Sequence, residues 1–260
     1  MRQLALVVLL ALSSLAARAD EWSHTYPVSG KPEVAVTSND GDVEVMVGSS
    51  QQVDVRVLTH GWKIQDDVQV TGNASGNHID IKVHKISRVC FGICVQSIRV
   101  EVRVPRESDL AIHTDDGNVR ADSVRGNLQF ETGDGNVTLH DVEGSLHAES
   151  GDGNIDVNGR FGALNLHTGP GNIDAEATPS SAAQGGWLMR TGDGHVHLKL
   201  PGDLGAELDA HSGDGDVHVN FEGHDRDKDK DNSFRGQING GGPLSIQVRS
   251  GDGDITVGKI

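Results

Sequence analysis

Thr132-Gly133-Asp134-Gly135-Asn136-Val137, Ser150-Gly151-Asp152-Gly153-Asn154-Ile155 and Thr168-Gly169-Pro170-Gly171-Asn172-Ile173 are three copies of one phrase. Variants begin at Ser38, Thr114, Thr191, Ser212 and Ser250. From Thr114 to Thr168 the phrase returns every 18 residues. A fixed period of that size marks a repeat architecture, with one supersecondary unit stacked on the next.

Apolar residues flank each copy at fixed offsets. Four and two positions before the Thr or Ser stand Leu110 and Ile112, Leu128 and Phe130, Leu164 and Leu166, Trp187 and Met189. Five and seven positions after it stand Val119 and Ala121, Val137 and Leu139, Ile155 and Val157, Val217 and Val219. A spacing of two is strand periodicity, so each unit holds two short strands joined by turns. The fold class is all-β, a parallel two-sheet β-solenoid resembling a β-helix, with 18-residue coils and a thin aliphatic core. The Thr or Ser points inward, where its hydroxyl can satisfy backbone groups at the corner.

Gly-Asp-Gly is the corner itself. Its second glycine is present in all eight copies, while Pro170 replaces the Asp once. Pro followed by Gly is a type II turn signature, whose second central residue needs φ > 0. This predicts positive φ at Gly41, Gly117, Gly135, Gly153, Gly171, Gly194, Gly215 and Gly253. The next residue is Asn118, Asn136, Asn154 or Asn172, then His195, Asp216 and Asp254; stacked asparagines form amide ladders.

Two intervals break the period. The 23-residue gap between Thr168 and Thr191 predicts a bulging loop from Pro179 to Gly186. The 38-residue gap between Ser212 and Ser250 contains His224-Asp225-Arg226-Asp227-Lys228-Asp229-Lys230-Asp231. An alternating charge run without apolar residues reads as a solvated loop, placed at about 222–242. Before the repeats, Val53 to Val57, Val68 to Val70, Ile79 to Val83 and Ile98 to Val104 alternate cleanly and predict longer antiparallel strands. A solenoid end exposes unpaired backbone, so residues 20–104 are expected to cap residues 105–260, the solenoid proper.

Residues 1–19 read as a cleaved secretory leader: Arg2, an apolar run from Leu4 to Leu12, and Ala17-Arg18-Ala19 before Asp20. The run is too short for a permanent transmembrane span, and no later stretch is apolar enough for one. The expected location is the periplasm, the cell envelope or outside the cell. The net charge is −16, and losing Arg2 and Arg18 with the leader makes it more negative by two. Such a surface disfavours nucleic acid as a partner. Cys90 and Cys94 are the only cysteines. In a flat strand they would lie roughly 13 Å apart, too far to bridge, but Gly92 permits a turn and export brings oxidising conditions, so a local disulfide is expected.

An extended β stretch ending at Val104-Pro105, then Leu110-x-Ile112 and repeated Gly-Asp-Gly-Asn-Val/Ile, resembles the bacterial putative-adhesin family of exported β-strand-repeat proteins, a domain of unknown function. The resemblance covers most of the mature chain. It implies a non-catalytic surface or envelope interaction protein and carries no site residues.

No catalytic residue and no obligatory cofactor emerge from the residues themselves. Calcium is the first alternative. Turn carboxylates one strand spacing apart repel by roughly 1 kcal/mol per pair in water, and Ca²⁺ would relieve this. The best-suited residues are Asp214, Asp216, Asp252 and Asp254, at turns with two carboxylates each. Against a calcium-binding β-roll, the Asp position of the nine-residue repeat is held by Val137 or Ile155. A polysaccharide-active β-helix enzyme is the second alternative. It would need a carboxylate pair in a cleft, and the coils lack cleft-building loops and exposed aromatics. The remaining function is a non-enzymatic adhesin, or an envelope interaction and scaffold module whose partner is an envelope or surface protein or glycan.

Overall fold

In the computed structural model, residues 19–86, 96–181, 186–221 and 231–260 are described. The expected leader (its first 18 residues), Cys90 and Cys94, and the charged run over 222–230 lie outside them. Every regular element among the described residues is a β-strand, and no helix is long and apolar enough to cross a membrane.

Strand pairing runs through two series. One contains, in spatial order, β5 (Val68–Ser75), β6 (His78–Lys85), β2 (Glu33–Ser38), β8 (Asp109–Thr114), β10 (Arg125–Thr132), the later halves of β11 (Val137–Ser150) and β12 (Ile155–Thr168), β14 (Trp187–Thr191), β19 (Leu244–Ser250), β16 (Ala206–Ser212) and β18 (Ser233–Ile238). The other contains β1 (Ala19–Pro27), β4 (Gln52–His60), β7 (Ser97–Val104), β3 (Asp42–Val47), β9 (Val119–Asp122), the first halves of β11 and β12, β13 (Ile173–Ala177), β15 (Val196–Leu200), β20 (Ile255–Lys259) and β17 (Val217–Val219). Pairing from β6 to β16 and from β7 to β17 is parallel. Only the outermost pairs, involving β1, β4, β5 and β18, are antiparallel.

The apolar columns enter the core as their period of two requires. Leu128 pairs with Leu146 and Phe130 with Ala148, a large residue beside a small one, and all four are buried. Trp187 replaces leucine in the same column, is 1% exposed, and meets Phe161 edge-on, with ring centroids 6.1 Å apart.

Four expectations need correction. Coil order does not follow chain order at the C-terminal end. The coil β19–β20 lies between β14–β15 and β16–β17, so the last coil in sequence is the penultimate one in space. Segment 222–242 is not all loop, because Phe234 and Ile238 alternate as buried residues on β18. Within 20–104, strands β2, β3, β6 and β7 also pair in parallel. Ser38 and its Asp40-Gly41-Asp42 turn already form a repeat corner, which sets β2 and β3 on the solenoid register.

The fourth correction concerns the corner glycines. Of the eight, only Gly41 (φ 103°) and Gly117 (φ 154°) have positive φ; Gly135, Gly153, Gly171, Gly194, Gly215 and Gly253 do not. Glycine is required there by stacking. A Cβ on Gly135 would stand 1.8 Å from the Gly117 carbonyl oxygen, and one on Gly153 2.0 Å from that of Gly135. The positive-φ residues Ser123, Asp141, Gly126 and Gly144 sit at the opposite corner.

Candidate interaction face

Two hydrogen-bond ladders run along the Gly-Asp-Gly corner. In the inner one, each buried hydroxyl serves two coils. The Gly153 N–H donates to Ser150 Oγ at 2.8 Å, and Ser150 Oγ–H donates to the Gly135 carbonyl of the previous coil at 2.8 Å. Thr132, Thr191, Ser212 and Ser250 repeat the pattern with carbonyl acceptors Gly117, Gly171, Gly253 and Gly194. Each such bond is worth about 0.5–1.5 kcal/mol net, and losing it leaves a buried carbonyl unpaired.

The outer ladder is made by the residue after the turn. Asp42 Oδ1 accepts the Asn118 N–H, Asn118 Oδ1 the Asn136 N–H, Asn136 Oδ1 the Asn154 N–H, and Asn154 Oδ1 the Asn172 N–H. Asn172 Oδ1 then accepts the His195 N–H, His195 Nδ1 the Asp254 N–H, and Asp254 Oδ1 the Asp216 N–H, all at 2.8–2.9 Å. His195 therefore acts as an acceptor through Nδ1.

These ladders account for part of the acidic turns. Asp214 and Asp252 are exposed turn tips on adjacent coils, whereas Asp254 caps the backbone of Asp216. The structure places the four residues along one edge. Among the described residues, no group of three or more His, Cys, Asp or Glu is arranged to hold a metal ion.

The two outer sheet faces differ in charge. On the face formed by β9, β11, β12, β13 and β15 stand Arg120, Asp156, Asp174, Glu176 and Lys199, with Lys199 Nζ 3.4 Å from Glu176. Toward the N-terminal end, Arg56 pairs with Glu21 at 2.8 Å and Glu101 at 3.7 Å. The Arg56 guanidinium, through its hydrogen bonds, holds the Glu21 carboxyl below the usual carboxylate range.

The opposite face is built differently. Across β8, β10, β11, β12, β14 and β19, one outward row reads Ala111, Gln129, His147, Asn165, Leu188, Gln247. A second row reads Asn127, Ser145, Ala163 and, further along, Ser245. These ten positions contain no Asp, Glu, Lys or Arg. Strand alternation faces them outward, and register aligns them into a flat band of amides, hydroxyls and small side chains.

Charges return at the borders of the band. At one end Lys31 pairs with Asp109 at 2.6 Å. Burial works to raise the Asp109 pKa, but the Lys31 ammonium and the Asn127 amide groups outweigh it and hold the carboxyl low. At the other end Asp209 receives Arg235 Nε at 3.1 Å and Arg249 Nη2 at 3.1 Å. Burial again opposes ionisation of Asp209, and the two guanidinium groups override it.

The family model described as Toastrack DUF4097 matches residues 32–183 and, in an overlapping second placement, residues 126–258. The chain belongs to the Toastrack family. The double match follows from the repeat, since successive coils offer the same pattern to more than one alignment. Among solved structures, this Toastrack chain is similar to a putative cell adhesion protein from Clostridium sporogenes, at 13% identity and TM-score 0.43, covering 92% of this chain and 100% of that one. A putative adhesin from Bacteroides fragilis gives 13% identity and TM-score 0.44, covering 92% and 97%. A putative lipid binding protein from Parabacteroides distasonis gives 9% identity and TM-score 0.26, covering 93% and 97%. No curated protein matches the chain.

The band was missed in the sequence because it is a property of columns, not segments. Each strand contributes one or two of its positions, and charged residues intervene along the chain. Tabulating the positions three and five before each Thr or Ser would have found it.

Proposed function

We propose that this Toastrack protein is an exported, non-enzymatic interaction module of the cell envelope or surface, engaging its partner through the uncharged band. Residues 1–19 would direct export and be removed. The body would act as a rigid parallel two-sheet β-solenoid of 18-residue coils, closed at one end by strands within 20–104. The observation that carries this function is the ten-position band without formal charge on a chain of net charge −16.

The physical reason is desolvation. Removing an ionised side chain from water costs far more than removing an amide or hydroxyl that finds a new hydrogen bond. The centres of interaction surfaces are accordingly poor in charge, with polar rims. The opposite face, laced with ion pairs, is suited to remain in water. Regular stacking supplies stiffness, so little conformational entropy is lost when the face is covered.

The test is in-cell photo-crosslinking. A photoreactive residue at Gln129 should capture a discrete envelope or surface protein or glycan, and one at Asp174 on the opposite face should not. Absence of any adduct from Gln129, or equal capture from both faces, contradicts the proposal.

A further inference from the structure

The wedging of the last coil changes the neighbours of Arg190. In chain order its counterpart in the next coil would be His211. In space Arg249 stands directly beside it, in register on β14 and β19, with His211 one strand further and His167 on the other side. Arg235 follows on β18, opposite Asp209.

Like charges placed directly opposite on adjacent strands are destabilising. Stacked carboxylates such as Glu131 and Glu149 are expected where Asp and Glu number 38 against 22 Lys and Arg. Stacked arginines are not. Arg249 and Arg235 share the single carboxylate of Asp209, and the Arg190 side chain makes no hydrogen bond or ion pair among the described residues. Three guanidinium groups against two carboxylates, Asp209 and Glu207 beside it on β16, therefore leave a local positive excess of one at the border of the uncharged band. Shallow depressions open on both sides of the Asp209–Arg235 pair.

We propose that Arg190, Arg249 and Arg235 form a binding site for the anionic groups of a polysaccharide whose neutral portions lie on the uncharged band. This rests on the function proposed above and names its partner class. Guanidinium groups bind carboxylate, sulfate or phosphate oxygens in a forked geometry. The adjacent Asn165 and Gln247 amides can both donate to and accept from sugar hydroxyls. Neighbouring strands repeat at about 4.8 Å, so Asn165, Gln247 and Arg235 share one row across the sheet and Arg190 and Arg249 stand in the row beside it, a track that an extended polymer can follow. A membrane surface fits less well, since among the described residues Val47 and Ile260 are the exposed large hydrophobic ones and neither is in the band.

The test measures binding of the mature chain to dextran sulfate, to unmodified dextran of the same length, and to phosphatidylglycerol vesicles. Expected is saturable binding to dextran sulfate that weakens roughly tenfold or more between about 50 and 200 mM salt, with neither dextran nor vesicles bound comparably. Arg190→Gln should weaken it about tenfold, the loss of one charge-assisted contact. Its melting temperature should hold or rise slightly, because the Arg190 side chain loses no partner and its repulsion with Arg249 is relieved. Arg249→Gln should weaken binding too, and Lys199→Gln on the other face should not. No binding at low salt, indifference to Arg190→Gln, or preference for vesicles overturns the proposal. A protein adduct from Gln129 combined with no dextran sulfate binding would reject the anionic glycan while leaving the interaction face intact.

Discussion

The carboxylate of Asp254 accepts the backbone N–H of Asp216 at 2.9 Å, although Asp254 lies 38 residues later in the chain. The C-terminal coil thus supports the coil that precedes it in sequence, not the reverse. Ser250 completes the lower contact by donating to the Gly194 carbonyl at 2.8 Å, and Ser212 completes the upper one by donating to Gly253 at 2.8 Å.

Ser150→Ala is expected to destabilise the protein by about 1–3 kcal/mol, because a buried N–H on Gly153 and carbonyl on Gly135 lose their shared partner. Denaturant unfolding should show a lower midpoint at unchanged slope.

Gly153→Ala should be severely destabilising, since the new methyl group would meet the Gly135 carbonyl oxygen at 2.0 Å. Gly258→Ala is the contrast, as nothing lies within 4 Å of its added carbon. Its melting temperature should stay within a few degrees of the parent, corresponding to less than about 0.5 kcal/mol. Equal losses for both variants would refute the stacking explanation.

How much of this was legible in the sequence depends on the range of the signal. The core columns from Leu110 to Val257 follow from alternation, a local rule obeyed in every coil. The asparagine ladder also follows, since identical residues at one offset must align once coils stack. The role of Gly135 does not follow. An invariant glycine can mean positive φ or close backbone approach, and Pro170 in one copy favoured the first. The position of Ser250's coil does not follow either, because strand order carries no local signature. One clue was present: the rungs after Asn172 that are not asparagine, His195, Asp254 and Asp216, are spatial neighbours.

His195→Asn should restore an amide rung and leave stability equal or higher. His195→Ala should cost about 1 kcal/mol through loss of the acceptor for the Asp254 N–H. Thermal unfolding of the two variants in parallel checks this ordering.

Acidification should weaken the region around Asp209. Its folded-state pKa lies below the ordinary value, so its contribution is complete above the unfolded aspartate pKa and is lost as pH falls through the depressed folded value. Asp209→Asn should therefore destabilise at neutral pH and flatten the acid limb of the stability curve. An unchanged acid limb would contradict the Arg235–Asp209–Arg249 arrangement.

The most direct measurement of the central claim introduces charge onto each face in turn. Gln129→Glu with Asn165→Glu places two carboxylates in the uncharged band, and Thr138→Glu with Thr256→Glu places two on the opposite face. Partner recovery by crosslinking from His147, compared at equal melting temperature, should be lost in the first pair and kept in the second. Retention in the first pair, or equal loss in both, would contradict the assignment of the uncharged band as the working surface.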